Sequence, residues 1–412
     1  MKPTRHKFTI LKQIMETIPP YLIPKLAREH GVDKKSRTIS PWSHVLSMIF
    51  AQLSHALSLN DICDTLRFHN GALSTMREAS APSRNGLSNA NRVRNADMAE
   101  DLFWQTLEHL KSLHPRFGYG RRYKGLPRRF KRMIHLVDST TIKLISSCMG
   151  WAKHRRRKAA AKCHMRLDAQ TFLPRFALVK SAKSHDSQEA ISLCAGIRAG
   201  EIVVFDKAYV DFEHLYQLDE RGVFWVNRAK DNMAYRIKKR RKKANKSILL
   251  DAEIILTTVK SRKQYSKRLR LVRALVEVDG KTVEMEFITN NMEWAASSIC
   301  DLYQCRWGIE VFFKQLKQNL QLSDFLGYSE NAVRWQIWMA LLTYVILRFI
   351  AFTSKWQGSF ARLFTALRGV LWSRFDMPGL LSLCCGTAHL RIRMCCQPQQ
   401  LYLPGFEKLL MG

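Results

Sequence analysis

The chain has 412 residues, enough to bury a large core and to make two or three domains. Hydrophobic residues make up 46%, which excludes a disordered chain. Lys+Arg 67 against Asp+Glu 34 gives a formal charge of +33, an excess that sets aside an ordinary metabolic enzyme and calls for a polyanionic partner.

Residues 1–115 read as a helical N-terminal domain that could bind DNA ends. Segments 10–30, 43–57, 59–67 and 87–113 carry apolar residues at three-to-four spacing. Asn60 and Asp61 suit a helix start after Ser58. No single recognition helix stands out among them. Residues 116–132 hold eight Arg or Lys, no acid, and Gly118, Gly120, Gly125 and Pro127, so they read as a basic linker able to lie on phosphates.

From Met133 the pattern changes. Segment 133–137 is a short strand expected to end at Asp138, followed by Ser139 and two threonines. Segments 163–168 and 175–181 read as strands and 187–198 as a helix. A buried strand at 201–205 runs into Asp206, before a helix at 212–221 and a strand at 223–226. That order describes a mixed α/β core. Residues 229–285 look like an all-β insertion. They hold the cationic run at 236–246 and strands at 252–259, 267–278 and 281–289, the last two joined by an Asp279-Gly280 hairpin signal. The core resumes at 286–352, and 353–412 is a C-terminal helical region.

The ten cysteines include no CxxC pair, and the adjacent Cys384–Cys385 and Cys395–Cys396 are poorly spaced to chelate one zinc. They read as reduced thiols of a cytosolic protein. The N-terminus has no signal-peptide pattern. The apolar run 337–352 contains Arg348 and is short for a membrane span, so it is expected to be a buried helix behind the segment 303–317.

That segment, YQCRWGIEVFFKQLK, is placed on one helix. Offsets of 3, 7, 11 and 14 from Tyr303 bring Arg306, Glu310, Lys314 and Lys317 into a sector of roughly 80°. Ile309, Phe312, Phe313, Leu316 and Leu320 fall opposite, as a core stripe should. Ion pairs on a solvated face explain such a row weakly, because each contributes only about 0.3–0.5 kcal/mol. A metal-binding carboxylate flanked by phosphate-holding cations explains it better. Asp138 and Asp206, at neighbouring strand ends of an open sheet, would share one crevice with Glu310. Carboxylates gathered there repel unless a cation joins them, and oxygen-only ligands suit Mg²⁺ or Mn²⁺.

The same residues carry a resemblance. Tyr303-x2-Arg306-x3-Glu310-x6-Lys317 resembles the Tyr-Arg-Glu-Lys signature of bacterial insertion-sequence transposases with a DDE catalytic domain. Asp138 in HLVDST and Asp206 in FDKAY look like the family's two aspartates, and SLNDICDTL and LSNANRVRNADM resemble the domain ahead of the core in one subgroup. The resemblance implies a ribonuclease-H-like core with a β insertion. It implies two Mg²⁺ ions (Mn²⁺ can substitute) on Asp138, Asp206 and Glu310, with Tyr303, Arg306 and Lys317 gripping phosphates. Lys314 joins them by its helix face. The implied partners are the element's terminal inverted repeats and target DNA, bound as a dimer in a synaptic complex in the bacterial cytoplasm, with no membrane. Where characterised relatives carry a Trp that stacks near a flipped base, this chain has Met285; Trp225 and Trp307 are the alternatives. Lys162 and His164 follow a basic run and could reach the site. A nuclease that cuts without joining, and a catalytically silent DNA-binding relative, remain open readings.

Overall fold

The polypeptide begins with helices because its apolar residues repeat at helical spacing and its loops supply caps. The computed structural model describes residues 4–35, 39–119, 129–144, 148–155, 158–181, 186–242, 246–278, 280–320, 322 and 325–385. The chain opens with α1 (Ile10–Met15), α2 (Leu22–Glu29), α3 (Pro41–Ser54), α4 (Leu59–Phe68), α5 (Asn70–Ser74), α6 (Arg84–Val93), α7 (Asp97–Leu113) and α8 (Pro115–Tyr119). The expected helix 10–30 is two helices, since Pro19 and Pro20 lack the N–H that would continue the ladder. The expected helix 87–113 is likewise broken, where Arg94 adopts extended backbone. At α4 the start is a capping box: Ser58 and Asp61 each accept from the other's backbone N–H. Arg116, expected in a linker, lies in α8; residues 120–128 of that linker fall outside the described residues, as do Cys395 and Cys396.

Next come β1 (Ile134–Leu144), α9 (Met149–Ala152), β2 (Lys153–Arg155), β3 (Lys158–Asp168), β4 (Pro174–Ser181), α10 (Asp186–Cys194), β5 (Ile202–Phe205), α11 (Phe212–Glu220) and β6 (Phe224–Arg228). They are followed by β7 (Tyr235–Arg240), β8 (Ile248–Leu256), α12 (Val259–Gln264), β9 (Leu269–Val278) and β10 (Lys281–Thr289). Among the described residues the strands form one ten-stranded sheet in the order β2-β3-β1-β5-β6-β10-β9-β8-β7, with β4 on β3. β5 is parallel to β1 and β6, and the other pairings are antiparallel.

Two expectations change here. The segment 229–285 is not all β: Thr258 accepts from Ser261 N–H and caps α12, so the strand expected to reach Val259 ends at Leu256. Nor does β1 end at Asp138. Only Ile134–Leu136 pair with β5, whereas β3 pairs with β1 as far as Leu144. Asp138 therefore sits just past the point where the parallel ladder stops, on a strand that its antiparallel partner carries onward.

The last helices are α13 (Ala296–Cys305), α14 (Trp307–Asn319), α15 (Glu330–Thr353), α16 (Phe360–Arg368) and α17 (Met377–Cys385). α15 is long and apolar enough to cross a membrane by length and composition, but most of it is buried inside the protein. It packs against α3, α6 and α7 on one side and α14 on another, where Phe312 and Tyr344 meet edge to face at 4.9 Å. N-terminal helices, sheet and C-terminal helices thus share one hydrophobic core.

Trp335 is the test of that sharing. It is fully buried and its Nε1–H donates to the Arg94 carbonyl at 2.8 Å. Trp335→Ala is expected to lower the unfolding free energy by about 3–5 kcal/mol in a urea titration. A loss under about 1 kcal/mol would mean that the core does not depend on α15.

Candidate active site

The expected single helix across 303–317 is two, α13 and α14, meeting at Arg306. The junction is tight, with i to i+3 bonds from Arg306 N–H to the Tyr303 carbonyl and from Ile309 N–H to the Arg306 carbonyl. Helical direction nevertheless persists, so the polar row survives. Ile309, Phe312, Phe313 and Leu316 are buried, and Glu310 and Lys314 are exposed, as the periodicity required. α14 can lie close on β1 because residue 308 is glycine. A Cβ there would come within 2.7 Å of the Phe172 ring and 3.4 Å of Leu136. Sequence reading passed over Gly308, although a glycine inside an amphipathic helix signals close packing.

At that contact the acids converge, and Arg306 stands between them. Its Nη1 donates to Asp138 Oδ2 at 3.0 Å and its Nη2 to Glu310 Oε1 at 2.6 Å. The Tyr303 hydroxyl donates to Asp206 Oδ1 at 3.1 Å, and Ser139 N–H donates to the other Asp138 oxygen at 2.8 Å. The Arg306 side chain is 9% exposed, Asp138 17% and Glu310 49%. The cluster therefore grades from a buried guanidinium to a solvent-facing carboxylate. Asp206 follows β5 and makes no side-chain cap to the turn it begins, which leaves its carboxylate for Tyr303.

Burial dominates the electrostatics. It pushes the Asp138 carboxyl up to about 6, against the opposing pull of Arg306 and the Ser139 N–H, with Asp206 and Glu310 adding to the rise. Burial also pushes the Tyr303 hydroxyl up to about 12; Arg306 opposes and Asp206 adds. Tyr303 is thus a protonated donor at neutral pH, which disfavours it as a covalent nucleophile. For Arg306, burial alone would lower the pKa, but Tyr303, Asp138, Glu310 and Asp206 together hold it above the usual arginine value.

The other expected residues divide. Lys317 donates from Nζ to the Thr141 carbonyl at 3.0 Å, and burial with nearby Lys143 lowers its pKa. Lys314 lies outward on the same helix. His164 is buried on β3 opposite Ser139, and Lys162 is opposite Thr141. Trp225 is core, packed with Tyr265, whereas Trp307 is half-buried. Met285 is half-buried on β10, beside the main core.

Three carboxylates form an oxygen donor set of the kind that hard divalent ions prefer. The raised Asp138 pKa reports chiefly its burial, with Asp206 and Glu310 adding to the rise. Among the described residues, however, no group of three acids, histidines or cysteines is gathered closely enough to hold an ion. The Arg306 guanidinium lies between two of the three acids. The donor chemistry fits the metal, and the gap between donors is filled by the protein's own cation.

The transposase DDE domain model matches residues 129–346, more than half of the chain, which therefore belongs to that family. A domain of unknown function matches residues 6–76. The chain is 33% identical over 228 residues to a putative transposase, y4zB, of Sinorhizobium fredii, covering 54% of this chain and 62% of that protein. It is 30% identical over 232 residues to a probable transposase for insertion sequence element IS5377 of Geobacillus stearothermophilus, covering 56% and 59%. It thus spans about three fifths of the length of these relatives. A solved piggyBac transposase synaptic complex with hairpin DNA aligns with 92% of this chain and 80% of its own at 9% identity, with a TM-score of 0.42, too low for argument.

Two outcomes test the charge balance. Asp138 binds its proton more tightly folded than unfolded, so folding takes up a proton between roughly pH 4 and 6, and stability falls as pH rises through that window. Asp138→Asn removes this dependence. Without metal, its stability relative to wild type should rise by about 2 kcal/mol from pH 4 to pH 7 in denaturant titrations. Arg306→Ala strands the buried carboxylate. It should cost about 3–5 kcal/mol at pH 7 and distinctly less at pH 5, where Asp138 is protonated. An equal cost at both values would remove Arg306 as the compensating charge.

Proposed function

We propose that this chain is a DNA transposase. It binds the terminal inverted repeats of its insertion sequence, cleaves a strand at each end with water, and joins the freed 3′-OH to target DNA. Its catalytic core, 133–228 with 286–352, is ribonuclease-H-like and interrupted by the β-rich segment 229–285. The helical domain at 1–115 contacts DNA ends, residues 116–132 lie on phosphates, and two copies work together in a synaptic complex. What carries this reading is that Asp138, Asp206 and Glu310, from three distant stretches of a chain in this family, are each one hydrogen bond from Arg306 or Tyr303.

Asp138, Asp206 and Glu310 would hold two Mg²⁺ ions, or Mn²⁺ in their place. Bound there, such ions would supply Lewis acidity toward an attacking water and a leaving oxygen. The remaining roles belong to the side chains themselves. To hold the ions, Asp138 and Glu310 would give up Arg306, and Asp206 would give up Tyr303. The released guanidinium is planar and always charged, so a DNA phosphate can take the place of the carboxylates it leaves. Tyr303, still protonated at neutral pH, donates to the same backbone. Lys317, anchored at the Thr141 carbonyl on β1, and Lys314 on the open face extend the cationic track. No side-chain nucleophile is required.

Incubation with DNA carrying the element's own ends, in Mg²⁺, tests this. Wild type should nick at the ends and form strand-transfer joints, while Glu310→Ala should lose nicking by on the order of 10³-fold or more. End-specific nicking that survives Glu310→Ala unchanged would refute the site. Nicking without joints would make the chain a nuclease.

A further inference from the structure

We infer, on the reading of the chain as a transposase that binds DNA ends, that α6 is the helix that reads base edges in the major groove. Its outward residues are Arg84, Asn85, Ser88, Asn89, Arg92 and Val93, all exposed, while Leu87, Ala90 and Asn91 are buried beneath. The outward face carries only arginine, asparagine, serine and one β-branched apolar residue. That is the chemistry which tells base pairs apart: Arg forks onto guanine O6 and N7, Asn pairs with adenine N6 and N7, and a small apolar group meets the thymine methyl. With side chains an α-helix is about 10–12 Å across, matching a major groove about 12 Å wide. A merely solvated helix face in a globular protein usually mixes Glu and Lys; this one has neither.

The surrounding charges favour the same occupant. Arg84 and Arg92 meet amide oxygens of Asn85 and Asn89, at 3.4 and 3.1 Å, and among the described residues neither forms an ion pair. The neighbouring carboxylates are already engaged. Asp61 accepts the Leu57 and Ser58 backbone N–H groups, Asp64 faces Arg67, and Asp97 pairs with Arg334 at 2.7 Å. Beside α6 opens a cleft of about 400 Å³, lined in part by Arg84, Ser88, Arg92, Asn60 and Tyr328 and, among the described residues, by no carboxylate. Two arginines and no carboxylate suit a phosphate backbone, although Leu57, Leu59, Phe325 and Leu326 also line the cleft.

The seat of α6 is rigid, as reading requires. Asn91, 2% exposed, lies 2.8 Å from His44 Nε2 on α3. Asn331 at the start of α15 donates to the Asn91 carbonyl at 3.0 Å, and Trp335 reaches the Arg94 carbonyl at 2.8 Å. The helix that seats α6 is the one that backs α14 and Glu310, so a base contact at α6 fixes where the acids fall on the DNA.

The test uses the full chain and a pool of duplexes with a randomised centre, from which wild type selects a preferred sequence. That sequence and a scrambled duplex are then the probes. Asn89→Ala and Arg92→Lys both keep the net charge. Each should lower the ratio of preferred to scrambled affinity about tenfold or more, with scrambled binding and melting temperature unchanged. Guanine N7 in the preferred site should be protected from dimethyl sulfate by wild type and exposed again with Arg92→Lys. If both variants keep the wild-type ratio and footprint, α6 is a solvated face and the inference is overturned, with end binding itself intact. If wild type selects no sequence at all, end recognition fails along with it.

Discussion

The guanidinium of Arg306 is the charge on which the acidic crevice depends. Around it stand acids from β1, from the end of β5 and from α14, brought together by a fold that buries one of them. Left alone, Asp138, Asp206 and Glu310 would repel one another in a medium that screens poorly. A single delocalised cation, forked between two of them, with Tyr303 donating to the third, makes their convergence tolerable in a metal-free protein. The proposed ion site would have to survive folding before any ion arrives, and this pairing is a physical means of doing so.

The same arrangement links the two ligands of the proposed reaction. In the proposed site ions and Arg306 would compete for Asp138 and Glu310, so whatever drew the guanidinium away would help ions to bind, and the reverse would hold by linkage. DNA phosphate offers Arg306 a replacement partner of equal charge. Ion binding would then be weak without DNA and stronger with it. A free nuclease centre is hazardous to a cell, and a centre completed by its substrate is less so.

Much of this was legible in the sequence, and what was not has definite causes. The polar row of 303–317 and its buried stripe followed from periodicity alone, and the row survived even though the helix is two. Asp206 was placed correctly because β5 is short, buried and parallel, so it ends where its apolar run ends. Asp138 was misplaced at a strand end because its strand continues through Ser139 to Leu144, held by β3, a pairing partner that periodicity cannot reveal. The role of Arg306 was half hidden for a related reason: its pair with Glu310 is an i,i+4 contact, but its other carboxylate, Asp138, lies more than 160 positions away. The segment 229–285 read as an insertion because its charge pattern differs; β10 runs out of it and pairs with β6 through Phe287–Thr289, so one sheet spans the segment and its flanks. Composition marks a boundary in sequence and says nothing about hydrogen bonds across it.

The N-terminal helices show why a long apolar helix in the C-terminal half matters to the whole chain. α15 is apolar nearly all round, a pattern that demands burial on every side. α3, α6 and α7 cover one flank and α14 another. Burial of that kind gives a helix little freedom to tilt, since moving it opens cavities against several neighbours at once. Elements hundreds of residues apart in sequence are thereby held at a fixed separation on one strut. For the proposed transposase, which would cut at a set distance from the bases it reads, a stiff connection serves better than a flexible tether, and here the stiffness comes from the packing of the core.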